Sequence, residues 1–273
     1  MAPDPRRLAD LMLAVAGRLQ DDPAFGATKL NKALFLCDHL HYKRLGSAIS
    51  GAVYERLPRA PAPRDVLAVR RQLIEAGEAA CEERGFLGHV QQRLVPLRSP
   101  GAFSDSETEM IDQVCGILRG HAHTNVLGWQ LAAEREEIPY ESAFLSASTP
   151  TRAELDRAAV LAADLGLAGS GPASSRRSRP AQSPIRRHLS WEWGRDRLAV
   201  GYPRAGEVLD GVAWACTRWP DGFHRIPGTR LHLLKTEWPI PALATWFTLE
   251  PEGCTIWAAE EISPYDPAED GSD

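Results

Sequence analysis

Between Gly166 and His188 the chain reads GLAGSGPASSRRSRPAQSPIRRH, and no acidic residue occurs from Leu165 through Trp191. A stretch this rich in Gly, Ser, Pro and Arg cannot bury enough apolar surface to offset its ordering entropy. Residues 166–188 are therefore expected to form a linker, and the chain to fold as two bodies. At 273 residues, there is enough chain for each to bury a core. Seven of the eight Trp residues (Trp191, Trp193, Trp214, Trp219, Trp238, Trp246, Trp257) follow this stretch, and only Trp129 precedes it. That asymmetry points to two differently built domains: residues 1–165, then 189–266, with an acidic tail at 267–273.

The first body reads as helical. Leu8, Leu11, Met12, Val15 and Leu19 recur at helical spacing over 6–19, the signature of an amphipathic helix. Thr28 is the expected cap of a second helix that ends at Gly46, with Leu30, Ala33, Leu34, Cys37 and Leu40 as its apolar stripe. The proline-rich RAPAPRDV should break regular structure before a third helix over Arg64–Ala76. Residues 78–98 are expected to pair as a small hairpin. Ser104 with Glu107, and Thr151 with Glu154, form capping-box signatures ahead of two more helices, the second reaching Leu165. Another helix is expected from about Asn125 to Arg135.

The second body reads as α+β. LSWEW and RLAVGY are β-prone runs around a GRD turn, and Glu207–Trp219 has helical periodicity through Val208, Leu209, Val212, Ala215 and Cys216. Three further β-rich runs follow, RLHLLKTEW, ALATWFTLE and CTIWAAEEI, separated by PIP and PEG turns. Their alternation predicts antiparallel strands with one face on the helix. The fold class is thus a mainly α N-terminal domain plus a small α+β C-terminal domain with an antiparallel sheet.

A formal net charge of −5 argues against a general polyanion binder. No run approaches the apolar length of a membrane span, and Met1–Arg7 lacks a secretory pattern. The five Cys (Cys37, Cys81, Cys115, Cys216, Cys254) are widely spaced among apolar neighbours, which reads as buried free thiols in a reducing cytoplasm. No GxSxG, P-loop or strand-linked GxGxxG occurs, and no cofactor is expected. His39/His41 and His121/His123 are His-x-His pairs; residues two apart on a helix point to nearly opposite sides, which sets His39 against His41, while His121 and His123 sit just past a helix end with no Cys/His ligand cluster at metal spacing. No metal site is expected.

The segments KLNKALFLCDHLHYKRLG, SAISGAVYERLPRAPAPRDV, SETEMIDQV and LGWQLAAEREEIPYESAFLS, in that order, resemble the Panacea domain, an antitoxin domain also called DUF4065 or SocA-like. The resemblance covers about residues 6–165. Departures are Ala60-Pro61-Ala62-Pro63, where relatives tend to carry a Gly-Pro-Val-Pro-like turn, and His123-Thr124, where they often carry Ser-His ahead of a Gly-Trp retained as Gly128-Trp129. The resemblance implies a bacterial, non-enzymatic protein that neutralises a toxin by direct binding. Lys29, Lys32, His39 and Trp129 are the candidate partner-binding residues. A solvated face for the lysines and a core role for Trp129 are the blander alternatives.

The order of the second body, with its GTRLHLL opening, is similar to RelE/ParE-superfamily toxins. That resemblance implies sheet residues that orient phosphate and polarise a 2′-hydroxyl, with Arg230, His232, Lys235 and Tyr265 as candidate catalytic groups. Charge argues the other way: Arg186–Asp266 holds nine Arg plus Lys against eleven Asp plus Glu, where an RNA-tracking domain needs a positive stripe. The resulting expectation is a toxin–antitoxin fusion for phage defence or stress response. Its partners would be an intramolecular toxin–antitoxin interface and a toxin target, either ribosome or RNA or a topoisomerase-like protein. The tether would raise effective concentration to about millimolar, and release would be a population shift. The alternative is a Panacea-like adaptor whose C-terminal domain is a protein-binding module.

Overall fold

The computed structural model describes residues 4–86, 88–119, 130–146, 148–169, 184–218, 223–236, 242–250 and 253–261. They fall into two compact units, 1–143 and 144–273. Among the described residues no helix is long and apolar enough to cross a membrane.

In the first unit, α1 (Pro5–Leu19) starts where the Asp4 carboxylate accepts from the Arg6 and Arg7 amides, with Pro at the first position. Leu8, Leu11, Met12, Val15 and Leu19 form its buried stripe. The next helix, α2 (Ala27–Leu45), begins at Gly26, so Thr28 lies inside the first turn instead of capping it. Gly46 ends α2 at φ 79°, donating its amide to the Tyr42 carbonyl, a left-handed conformation that a side chain would strain.

A three-stranded sheet follows, with β1 (Tyr54–Arg56) between β2 (Pro61–Pro63) and β5 (Glu137–Ile138), all antiparallel. The proline-rich stretch therefore forms an edge strand, where a missing N–H costs no inner ladder bond. The helix α3 (Val66–Glu75) lies within its expected span. Strands β3 (Ala79–Phe86) and β4 (His89–Pro96) make the expected hairpin, and α4 (Asp105–Leu118) carries the full Ser104/Glu107 capping box. A 3-10 turn at Tyr140–Phe144 leads out of β5.

The second unit begins before the sequence boundary at 165. Its elements are β6 (Leu145–Ser146), α5 (Arg152–Asp164, capped by the Thr151/Glu154 box), β7 (Ile185–Arg187), α6 (Leu189–Gly201), α7 (Ala205–Arg218), β8 (His224–Arg225), β9 (Leu231–Thr236), β10 (Leu243–Glu250) and β11 (Gly253–Glu261). The sheet order is β6-β9-β10-β11-β7 with β8 also on β9; only β7–β11 is parallel. On one face α5 lays Ala158, Leu161 and Ala162 against Leu231, Leu233, Ala244, Trp246 and Ala258. Leu234, Phe247 and, across the bulge that separates the Trp246–Ala258 and Phe247–Ile256 pairs, Ile256 face the other way and are equally buried. Cys216 of α7 meets Cys254 on that side, so the sheet is covered on both faces, not on one.

Two expectations change. Residues 189–201, read as two strands around a GRD turn, are one helix. Trp191, Gly194 and Leu198 share a side at helical spacing, and a Cβ at Gly194 would sit 3.0 Å from the Ala259 carbonyl, so glycine lets the helix lie close to the sheet. Residues 170–183 of the expected linker lie outside the described residues, but its two ends belong to the fold. Leu167 is in the α5 core and Ala168 bridges Thr229, while Ile185–Arg187 extends the sheet.

A fragment starting at residue 144 should therefore unfold in one cooperative urea transition followed by Trp fluorescence. One starting at 189 lacks α5, β6 and β7 and uncovers the Trp246 face. That loss is on the order of several kcal/mol, comparable to a domain's whole stability. Equal midpoints for the two fragments would contradict the assignment of α5 to this unit.

Candidate functional site

Asp38 on α2 is completely buried and carries a cluster of hydrogen bonds. The Ser50 amide donates to its Oδ1 at 2.7 Å, and Oδ2 accepts from the Ser50 hydroxyl and, at 2.7 Å, from the Tyr54 hydroxyl. The Tyr140 hydroxyl donates to the Ala52 carbonyl at 2.7 Å and lies 3.5 Å from the same Oδ2. Burial pushes the Asp38 pKa up, and the bonds from Ser50 and Tyr54 pull it back down. One carboxylate thus gathers α2, the loop after it, β1 and the 3-10 turn.

His39 sits beside this network and not at a surface. Its ring stacks on Phe35 with centroids 3.6 Å apart and lies 4.6 Å from Tyr140 and 5.2 Å from Tyr54. Nδ1 is 3.1 Å from the Phe35 carbonyl, an acceptor, so Nδ1 carries the proton. Burial lowers its pKa to about 3 and keeps the imidazole neutral. His41 has separate partners, with Nδ1 2.5 Å from the Ser47 carbonyl and Nε2 3.5 Å from the Ser106 hydroxyl.

Lys29 is also interior. Its Nζ pairs with Asp22 Oδ2 at 2.7 Å and donates to the Leu118 carbonyl at 3.1 Å, where a cation offsets the negative end of α4. Arg93 of β4 completes this knot by donating to the Phe25 carbonyl at 2.8 Å and to the Asp22 carbonyl. Lys32 is half-buried next to Lys29, and burial, with the Lys29 charge second, lowers its pKa. Trp129, Gly128, His121 and His123 lie outside the described residues.

The candidate catalytic groups of the second unit do not converge. Lys235 faces α5, paired with Glu154 Oε1 at 2.9 Å and reaching the Thr149 carbonyl at 3.3 Å. His232 is on the opposite parity of the same strand, stacked on Phe247 at 5.4 Å. Arg230 precedes β9 and donates to the Gly166 carbonyl at 3.0 Å. Tyr265 lies outside the described residues.

Four of the five thiols are buried as expected, but Cys81 is exposed on the hairpin beside Arg70 and Gln92. Among the described residues no group of three or more His, Cys, Asp or Glu side chains could hold a metal ion. The concavity lined by Asp4, Pro5, Leu8, Ala52, Val53 and Asp65 has room for about one water molecule. In the described structure these polar groups hold backbone segments together.

Residues 30–126 match the family model of the antitoxin SocA-like, Panacea domain. The matched span runs from α2 through α4, includes Asp38, Ser50 and Tyr54, and supports a Panacea/SocA-like antitoxin domain there. No curated protein and no solved structure matches the chain. The RelE/ParE-like resemblance of the second unit finds no support in these comparisons.

The His39 pKa has a consequence for acid stability. It falls from 6.5 in an open chain to about 3 in the fold, so the unfolded chain takes up the proton first. The stabilisation is complete above pH 6.5 and is lost as pH falls towards 3, on the order of 5 kcal/mol in all. A His39→Phe variant keeps a ring on Phe35 and has nothing to protonate. Its denaturation midpoint should fall less steeply than wild type over that window, and parallel pH profiles would contradict the assignment.

Proposed function

We propose that this chain is an antitoxin-type binding protein: its first unit neutralises a toxin protein by direct contact, and its second unit is a protein-binding module. The observation that carries the first part is the antitoxin-domain match over residues 30–126. The closed interior of that unit is in keeping with it, because recognition by binding needs a rigid surface and no reactive constellation. Here Asp38, His39 and Lys29 are scaffold groups that hold the surface in shape, not contacts.

For the second unit, the adaptor reading is favoured over the fused toxin by the placement of Lys235, His232 and Arg230. A phosphate-orienting site needs such groups within reach of one reacting centre, and these three are engaged in different directions.

Growth of a bacterial host separates the two readings. Expression of residues 144–273 alone should leave growth unchanged, and the tagged full chain should retain a protein partner through its first unit after cross-linking. Growth arrest by 144–273 that is relieved by co-expressed 1–143 would replace the adaptor with a toxin held in cis. A full chain that retains no protein partner would overturn the antitoxin reading.

A further inference from the structure

The helix α6 is apolar on two opposite sides. One side holds Trp191 and Leu198, each 2% exposed, with Gly194 pressed against the Ala259 carbonyl. The other presents Leu189 at 67%, Trp193 at 73% and Val200 at 91% exposure. At 100° per residue these three fall within a stripe of about 40°, with Asp196 at its margin.

The spacing Leu189, Trp193, Asp196, Val200 alternates four, three and four residues, the d-a-d-a pattern of a coiled-coil seam. Glu192 then occupies the g position before Trp193, and Arg197 the e position after Asp196. Two such helices facing each other in parallel bring g of one against e of the other five residues on, so that Glu192 meets Arg197 of the copy on both sides of the seam. An antiparallel pair would instead line one flank of the seam with both Glu192 side chains and the other with both Arg197 side chains, leaving neither charge opposite its complement. Charge complementarity on this face therefore selects its own copy, in parallel.

We propose that the outer face of α6 pairs in parallel with α6 of a second copy of this chain, with Trp193 at the centre of the contact. The pairing presents two antitoxin-like units on one assembly and raises avidity for a repeated or dimeric partner. It is independent of what those units bind. The seam spans under two heptads, and Asp196 opposes its own copy within it. Arg195, 3.0 Å from Asp196 and 2.7 Å from Glu192, tempers that repulsion without removing it. Association is accordingly weak and reversible.

Sedimentation equilibrium of the full chain from about 1 to 300 μM tests this by mass action. A monomer–dimer equilibrium is expected. Trp193→Glu should leave circular dichroism and melting unchanged and shift the chain to monomer over the whole range. Asp196→Leu, which completes the apolar seam, should tighten the dimer about tenfold or more. Glu192→Arg should weaken it, and adding Arg197→Glu should restore it. A chain that is monomeric throughout, a dimer indifferent to Trp193→Glu, or a charge swap that does not restore association would overturn the proposal.

Discussion

The first unit depends on one buried carboxylate. Asp38 is fully enclosed, and a carboxylate in that setting is tolerated only with its lone pairs occupied. The Ser50 amide and the Ser50 and Tyr54 hydroxyls occupy them. Ser50 and Tyr54 lie in the loop after α2 and at the start of β1, so satisfying Asp38 fixes how those segments meet α2. The aromatic stack of Phe35, His39, Tyr54 and Tyr140 then packs around the same point, so that apolar burial and polar satisfaction select one arrangement.

The same logic recurs twice more and explains where the candidate site residues went. Asp22–Lys29 and Glu154–Lys235 are both buried ion pairs. Replacing such a pair with well-packed apolar side chains is often neutral in energy, but removing one member strands a charge and costs about 3–5 kcal/mol. Such pairs specify which elements meet: Lys29 ties the α1–α2 turn to the end of α4, and Lys235 ties β9 to α5. A lysine off the apolar stripe looks solvated in sequence. Its four-carbon stem lets it reach a buried partner that periodicity does not reveal.

Local signals were legible and long-range ones were not. Both capping boxes, the Gly46 stop and the 78–98 hairpin depend on neighbours within a few residues, and the structure places all of them where the sequence did. The three C-terminal strands were readable from their β-branched and aromatic runs. Residues 189–201 look like strands because Trp and Val favour strands locally, whereas the helix sets Trp191, Gly194 and Leu198 on one side against the sheet, a long-range contact that local propensity does not show. The unit boundary was misplaced because α5 ends just before a loop-like composition while its apolar face belongs to Trp246 and Leu233. Asp38 had a weak signal, an acid four residues after Leu34 and beside Cys37 on the buried stripe, which is unusual for a solvated carboxylate. Its partners in the next loop, in β1 and in the 3-10 turn have no periodic signature.

The central claim is that the Asp38 network is the organising contact of a closed unit, so it should open only when the unit unfolds. Native-state hydrogen exchange of the Ser50 amide, measured in the full chain with increasing denaturant, tests this directly. The account predicts exchange with the same free energy and denaturant dependence as the core amides of α1 and α2. Exchange through a low-energy local opening, insensitive to denaturant, would contradict it.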